Sequence, residues 1–531
     1  MRWLILPVAS AALAGCTLPM TSAVQLHNAG DVDGAVKQAE TSGCRDEMRK
    51  KGKDQLLALM EGGKIFQDGG AAAQSQDVLY QASKLGERFA TLDNRPDAGE
   101  LVGSAIVNPT VRTYRGTYSE RIRVEAYQTL NMLLAGNARE AAVYARRTGE
   151  RQADARVLQQ KEISAAEKDM KTWKGGAAEG TVQQVLKSKE LQALDADAAY
   201  AAYLDPFASW IAGVAWCATG DGQEYQQGCS NIQEAAQMMP DNPYLRAQVA
   251  SNPFQLARMG QPQVLVVFEN GIAPSYKQIT IPLFTPWTGV STIPIQVPEY
   301  HPSPIGGLSV GSPDGTLAET STALLADYNK IFGAQYKRME PDIIFSTLVM
   351  IAVKEGATLG GYFATQNSSG GQVAVLAAAS LYKVLTNQAD LRTWRTPGAQ
   401  VQMAQVPRPQ NGVLEVALVG GGPLPPGAQR QRIQLPEGAV TLVYVRSVVP
   451  GQVRWFTAAL GPASAPAGTS QPAPASEPAS PANPPPPPSV PSTLPGQQPP
   501  PPATQPPPPA QQPPPPQPPP PPQQPPPPAT P

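Results

Sequence analysis

The sequence is poor in histidine, in cysteine and in long apolar runs, and each shortage excludes something. Only two histidines occur in 531 residues, His27 and His301. A catalytic zinc usually takes two or three histidine ligands, and the four cysteines do not make up the difference. A Ser-His-Asp or Cys-His arrangement could use only one of these rings. Gly307-Leu308-Ser309-Val310-Gly311 matches the nucleophile-elbow string, but no histidine follows Ser309, as that chain order requires. Pro302 and Pro304 place the string in an expected loop. Phosphate-loop, CxxC and HExxH strings are missing. A formal net charge of −1 offers no basic field for nucleic acid. The expectation is a protein that is not an enzyme, with no cofactor, no metal and no nucleic-acid partner. Paired carboxylates are the one remaining route to acid–base chemistry, and the sequence alone does not pair them.

Proline is abundant but confined: 35 of the 61 prolines lie between Gly461 and Pro531. Glu477 is the only charged residue in that stretch. Such a segment forms polyproline II and packs no core, so 461–531 reads as a disordered tail. At ~3.1 Å per residue it reaches on the order of 200 Å. It is either a solvated spacer or an arm contacting peptidoglycan on the way to a partner.

At the other end, Arg2 precedes the apolar run Trp3–Ala14, which is too short to span a bilayer. Leu13-Ala14-Gly15-Cys16 looks like a bacterial lipobox. Residues 1–15 then form a signal peptide, and Cys16 carries the lipid, a palmitate-type acyl anchor. Several acyl chains on one residue anchor stably. Thr17, where an Asp would retain the protein at the inner membrane, points to the periplasmic face of the outer membrane.

Residues 16–260 read as helical. Phe207, Trp210, Ile211 and Val214 recur at helical spacing, as do Ile122, Ala126, Leu130, Leu133 and Leu134. Turn glycines at Gly30, Gly70, Gly136 and Gly220 separate helix pairs. With Gly63, Ser75, Leu79, Gly213, Ala235 and Pro240 they suggest an irregular tetratricopeptide-like (TPR-like) domain, since the spacing departs from a regular repeat of ~34 residues; a generic α-helical bundle is the alternative. Trp173 to Gly180 reads as an inserted loop. Cys217 and Cys229 flank the Gly220 turn; they form either a disulfide or two small buried residues. Cys44 has no partner in this reading.

Residues 261–460 read as mixed. Short β runs occur at 264–268, 278–281, 292–297, 401–406, 413–419, 431–435 and 441–445. Ala318 to Lys337 is expected to be helical and to lead into a helical hairpin formed by 343–353 and 373–385. The hairpin is either buried or partly membrane-inserted. The fold class is therefore α+β: a TPR-like helical domain, then a mixed domain with a helical hairpin and a small antiparallel β-sandwich.

Tyr114-Arg115-Gly116-Thr117-Tyr118-Ser119-Glu120-Arg121, Arg146-Arg147, Val267 to Pro274, Ala389 to Arg395 and Val443 to Arg446 together resemble a family of bacterial outer-membrane lipoproteins of unassigned function. The resemblance covers most of 20–446 and implies a TPR-like region followed by a β-containing one. It also implies a glutamate two residues before the Arg-Arg pair, where this chain has Tyr144. Some members of that family are encoded near lipoproteins that activate penicillin-binding proteins. Tyr114, Arg115, Arg146 and Arg147 are the candidate partner-contact residues, with Arg146 and Arg147 expected at a helix end. The alternative is an Arg-capped helix end with a packing Tyr. Asp390, Arg392 and Trp394 read as an ion pair and a packing ring. The expected role is a membrane-anchored periplasmic scaffold binding other envelope proteins, in cell-wall synthesis or export. Peptidoglycan binding, glycan modification and membrane insertion are the alternatives.

Overall fold

The computed structural model describes residues 18–90, 109–174, 205–220, 222–285, 289–303, 305–364, 387–420 and 430–461. Cys16, residues 175–180, the second arm of the expected hairpin and the proline-rich tail lie outside the described residues.

The helical half begins with α1 (Thr21–Asn28), α2 (Val32–Ala39), α3 (Ser42–Arg49), α4 (Gln55–Asp68) and α5 (Ala72–Ala90). It continues with α6 (Tyr118–Leu134), α7 (Ala138–Lys174), α8 (Pro206–Thr219), α9 (Gly222–Met238), α10 (Pro243–Ala250) and α11 (Pro253–Arg258). Gly30, Gly70, Gly136 and Gly220 follow α1, α4, α6 and α8 with φ of 91°, 80°, 73° and 78°, the left-handed turn that glycine adopts without strain. Small residues then let paired helices close up. A Cβ on Gly63 would meet Leu79 Cδ2 at 2.5 Å, and one on Gly213 would meet Ile232 Cγ1 at 2.8 Å. Ser75 Oγ donates to the Gly63 carbonyl at 2.8 Å. The Phe207, Trp210, Ile211, Val214 stripe is wholly buried.

Three local expectations are corrected. Arg146 and Arg147 do not end a helix; they lie inside α7. Gly149, the first helix-weakening residue after them, has open space around its Cα, and the helix runs on through it. Trp173 and Lys174 are the last residues of the same helix rather than loop. Within 318–337, Thr320–Ser321 and Ala323–Asp327 are strands. Helix α12 (Tyr328–Ala364) starts only afterwards, where Asp327 Oδ1 accepts from the backbone N–H of Asn329 at 3.0 Å. The apolar Ala323–Asp327 segment takes the open edge of a sheet, so a tertiary pairing outweighs its helical propensity.

The sheets comprise β1 (Gln263–Asn270), β2 (Ser275–Thr285), β3 (Gly289–Glu299), β4 (Gly307–Gly311), β5 (Thr320–Ser321), β6 (Ala323–Asp327), β7 (Gln400–Pro407), β8 (Val413–Val419), β9 (Gln431–Gln434), β10 (Val440–Ser447) and β11 (Arg454–Leu460). A five-stranded sheet has the order β11-β10-β1-β7-β6, a four-stranded sheet β5-β4-β8-β9, and β2-β3 form a separate ribbon. One pairing departs from the antiparallel expectation: β1 and β10 run parallel, Val264 opposite Thr441 through Asn270 opposite Ser447. The 307–311 string is strand β4, not loop, and Ser309 Oγ donates to Glu319 Oε1 at 2.5 Å.

The five-stranded sheet is the middle of three layers. Leu265, Val267, Met403, Leu442 and Tyr444 point into the helical core. Val264, Val266, Phe268, Val443 and Val445 alternate with them and pack on Leu308, Val310, Leu414 and Val416 of the second sheet. Burial on both faces explains the unbroken apolar run of β1. The fold is α+β. The change from helix to strand falls near residue 261, and both halves belong to one compact unit. Ile343, Ile344 and Ile351 of α12 pack on Ile281, Ile293 and Ile295 of the ribbon. Among the described residues no helix is long and apolar enough to cross a membrane.

Candidate functional site

Charged groups gather in two settings: a sealed cluster where the helices meet the central sheet, and open clefts on the surface. The sealed cluster joins His27 of α1, Lys64 and Asp68 of α4, Glu269 of β1, and Tyr444 and Arg446 of β10, all buried. Lys64 and Asp68 pair one helical turn apart, and Lys64 Nζ lies 3.1 Å from Glu269 Oε2. Arg446 Nε donates to Asp68 Oδ2 at 3.0 Å, and His27 Nε2 lies 2.9 Å from the same oxygen. The remaining capacity is filled: Tyr127 donates to Glu269 at 2.7 Å, and Arg446 donates to the Gly271 carbonyl at 2.8 Å. Burial opposes ionisation of Asp68, but the adjacent Lys64 and Arg446 charges outweigh it and hold the carboxyl well below its usual range. Glu269 is lowered by the same balance. A cluster so fully paired and enclosed can join the layers but offers no room for a substrate.

A second set of carboxylates, Glu120 buried and Asp54 and Asp390 half-buried, serves the same junction. Glu120 closes a capping box with Thr117 at the start of α6. It also accepts from Tyr114 Oη at 2.7 Å and from the Trp394 backbone N–H at 2.7 Å. Arg392 binds Asp390 and Asp54, each at 2.6 Å, and Trp394 stacks edge-on against Tyr127 at 5.6 Å. These are the ion pair and packing ring that the sequence suggested. Tyr114 is thus a mostly buried strut with its hydroxyl committed, and its remaining surface lines a cleft beside Arg115.

The four candidate contact residues do not form one patch. Tyr114 and Arg115 line one cleft of about 160 Å³ with Tyr276, Asp390 and Arg392. Arg146 lines a different and larger cleft, about 550 Å³, formed by α7, α8 and α9. Its guanidinium lies 5.5 Å from the Trp216 ring, and Glu150, Glu224, Gln227 and Glu234 complete the wall. Arg147, one residue on, turns about 100° away around the helix and lies against Tyr144, 5.5 Å from its ring. Tyr144, which stands where the resemblance implied a glutamate, is buried.

Cys217, Cys229 and Cys44 are free thiols. Asn252 Nδ2 lies 3.4 Å from Cys217 Sγ and 3.7 Å from Cys229 Sγ, so the two sulfurs share one pocket across α8 and α9. Burial pushes the Cys217 thiol up to about 12, against the hydrogen bond from Asn252.

Sequence reasoning passed over His27, Lys64, Asp68, Glu269 and Arg446 as a group. A signal was present: Lys64 and Asp68 stand four apart in an apolar helix, while Glu269 and Arg446 end apolar strands. Their meeting depends on a pairing across the whole chain. Among the described residues no group of three or more His, Cys, Asp or Glu is arranged to hold a metal ion. Comparison with protein-family models, curated proteins and solved structures finds no match to this chain.

Proposed function

We propose that this chain is a lipid-anchored periplasmic lipoprotein of the outer membrane that binds other envelope proteins through its helical half. The lipobox ending at Cys16 supports the anchor and the compartment. The observation that carries the binding role is the cleft between α7, α8 and α9. There Arg146 stands over Trp216, whose ring is mostly buried and forms the floor, beside carboxylates and amides at an open surface. Tryptophan and arginine are the residue types that dominate protein interfaces. Glu234 is already paired with Arg156 at 3.0 Å, so the polar wall suits a peptide that offers hydrogen-bond donors more than one chosen by charge alone.

The test places a photo-crosslinking residue at the exposed Gln227 in cells. A protein adduct that disappears in the Arg146→Glu form supports the reading. No adduct, or an adduct indifferent to Arg146→Glu, overturns it. The same Trp, amide and carboxylate lining also suits a glycan strand. Retention on purified peptidoglycan that is lost with Arg146→Glu, without a protein adduct, would favour that second reading.

A further inference from the structure

We infer that the face carrying Leu18, Pro19 and the loop between α3 and α4 rests on the membrane, where its lysines meet anionic phospholipid headgroups. The inference rests on the acylation of Cys16 proposed above and adds which surface of the body faces the lipid.

The first argument is the length of chain. The folded body begins almost at the anchor. Met20 is buried, and its backbone N–H donates to Glu47 Oε2 at 2.6 Å. The Pro19 carbonyl accepts from Arg395 Nη2 at 2.9 Å, and Thr21 donates to the Leu18 carbonyl. Only Thr17 separates Leu18 from Cys16, and two residues span at most about 7 Å. A lipid on Cys16 therefore holds Leu18 at the level of the headgroups, with no linker to let the body swing away.

The second argument is charge. Leu18 and Pro19 line a cleft of about 340 Å³ together with Lys53, Asp54, Leu391 and Arg392. Lys53 belongs to the run Arg49-Lys50-Lys51-Gly52-Lys53, all of it exposed. Between Arg45 and Asp54 there are five cations and three carboxylates, and each carboxylate is engaged. Asp46 holds Lys50 at 2.7 Å, Glu47 holds the Met20 N–H, and Asp54 holds Arg392 at 2.6 Å with Lys53 Nζ at 3.8 Å. The face keeps a positive excess at the one place where the chain meets the lipid. A basic patch beside an acyl anchor is the pairing that strengthens attachment to an anionic surface.

The test uses the mature full chain, acylated, in phosphatidylethanolamine–phosphatidylglycerol vesicles, with amine-acylation footprinting of its lysines by mass spectrometry. Lys37 is the internal reference: it is exposed on α2, whose Val36 packs at Gly69, the far end of α4 from Lys53. The expected result is that Lys50, Lys51 and Lys53 label at least threefold more slowly in vesicles than in detergent, while Lys37 does not change. The protection should shrink in neutral phosphatidylcholine vesicles and in the Lys50→Glu/Lys51→Glu form, read at Lys53. Equal labelling in vesicles and detergent overturns the inference. Equal protection on neutral lipid overturns its electrostatic part. Intact mass separates the two layers: Cys16 without acyl mass overturns the anchor itself, whereas an acylated Cys16 with unprotected lysines overturns only the orientation.

Discussion

Asp68, the last residue of α4, receives the guanidinium of Arg446 from β10 at 3.0 Å, and both side chains are buried. The pair spans 378 positions of sequence and ties the N-terminal helices to a strand near the end of the folded chain. Removing one member leaves the other charged and enclosed. Arg446→Met is therefore expected to lower the unfolding free energy by about 3–5 kcal/mol. Arg454 and Asp33 link the same regions at 2.6 Å but in solvent. Asp33→Asn is expected to cost under about 1 kcal/mol. Denaturant titration of the two variants checks the contrast. Equal losses would show that burial does not set the value of these pairs.

The same cluster sets an acid limit. Asp68 and Glu269 are held below their usual range, so their contribution is complete above the unfolded-state values, about 3.9 and 4.3. It is lost as pH falls through the lower folded-state values. Asp205, raised by burial against the pull of Arg123, works in the opposite sense. Stability is expected to fall below about pH 4, and the fall should be shallower in Asp68→Asn, which is less stable at neutral pH. Thermal unfolding between pH 2 and pH 7 provides the measurement, and parallel curves for the two proteins would contradict the assignment.

Close packing of α8 on α9 depends on missing side chains. A Cβ on Gly228 would stand 2.5 Å from Cys217 Sγ and 2.7 Å from the Gly213 carbonyl oxygen. The backbone atom cannot swing aside, so Gly228→Ala is expected to destabilise by about 1–3 kcal/mol despite alanine's better helix propensity. A gain in stability on denaturation would mean that the helices have slack.

Cys217 and Cys229 both lie within reach of one amide nitrogen. A mild disulfide oxidant is expected to join them while Cys44, buried under α4, stays reduced. Alkylation followed by intact-mass measurement should then find one free thiol in the mature chain when Cys16 is acylated. Three free thiols after oxidation would show that the helices hold the sulfurs apart.

Much of the helical half was legible because local rules wrote it. The four turn glycines and the Phe207-to-Val214 stripe encode turns and a buried face within a few residues. The β runs at 264–268 and 441–445 were legible for the same reason, but their parallel pairing was not, since side-chain alternation carries no strand direction. Ala323 to Asp327 was misread as helix because an edge strand's hydrogen bonds come from a distant partner, here β7. The packing role of Tyr114 was open to reading as one of two alternatives, but its partner Glu120, which also takes up Trp394 274 positions further on, was not.

By itself the sequence determined which segments could be helices or strands, where the chain had to turn, and that no histidine follows Ser309 as the chain order of a nucleophile elbow requires. Tertiary structure decided that Lys64, Asp68, Glu269 and Arg446 form one enclosed cluster, and that Arg115 and Arg146 serve separate clefts. The physical reason is range. Turns and amphipathic faces are settled by steric and solvation effects among neighbours in sequence. Whether a charge ends in solvent or in a sealed junction depends on which surfaces the whole chain brings against it.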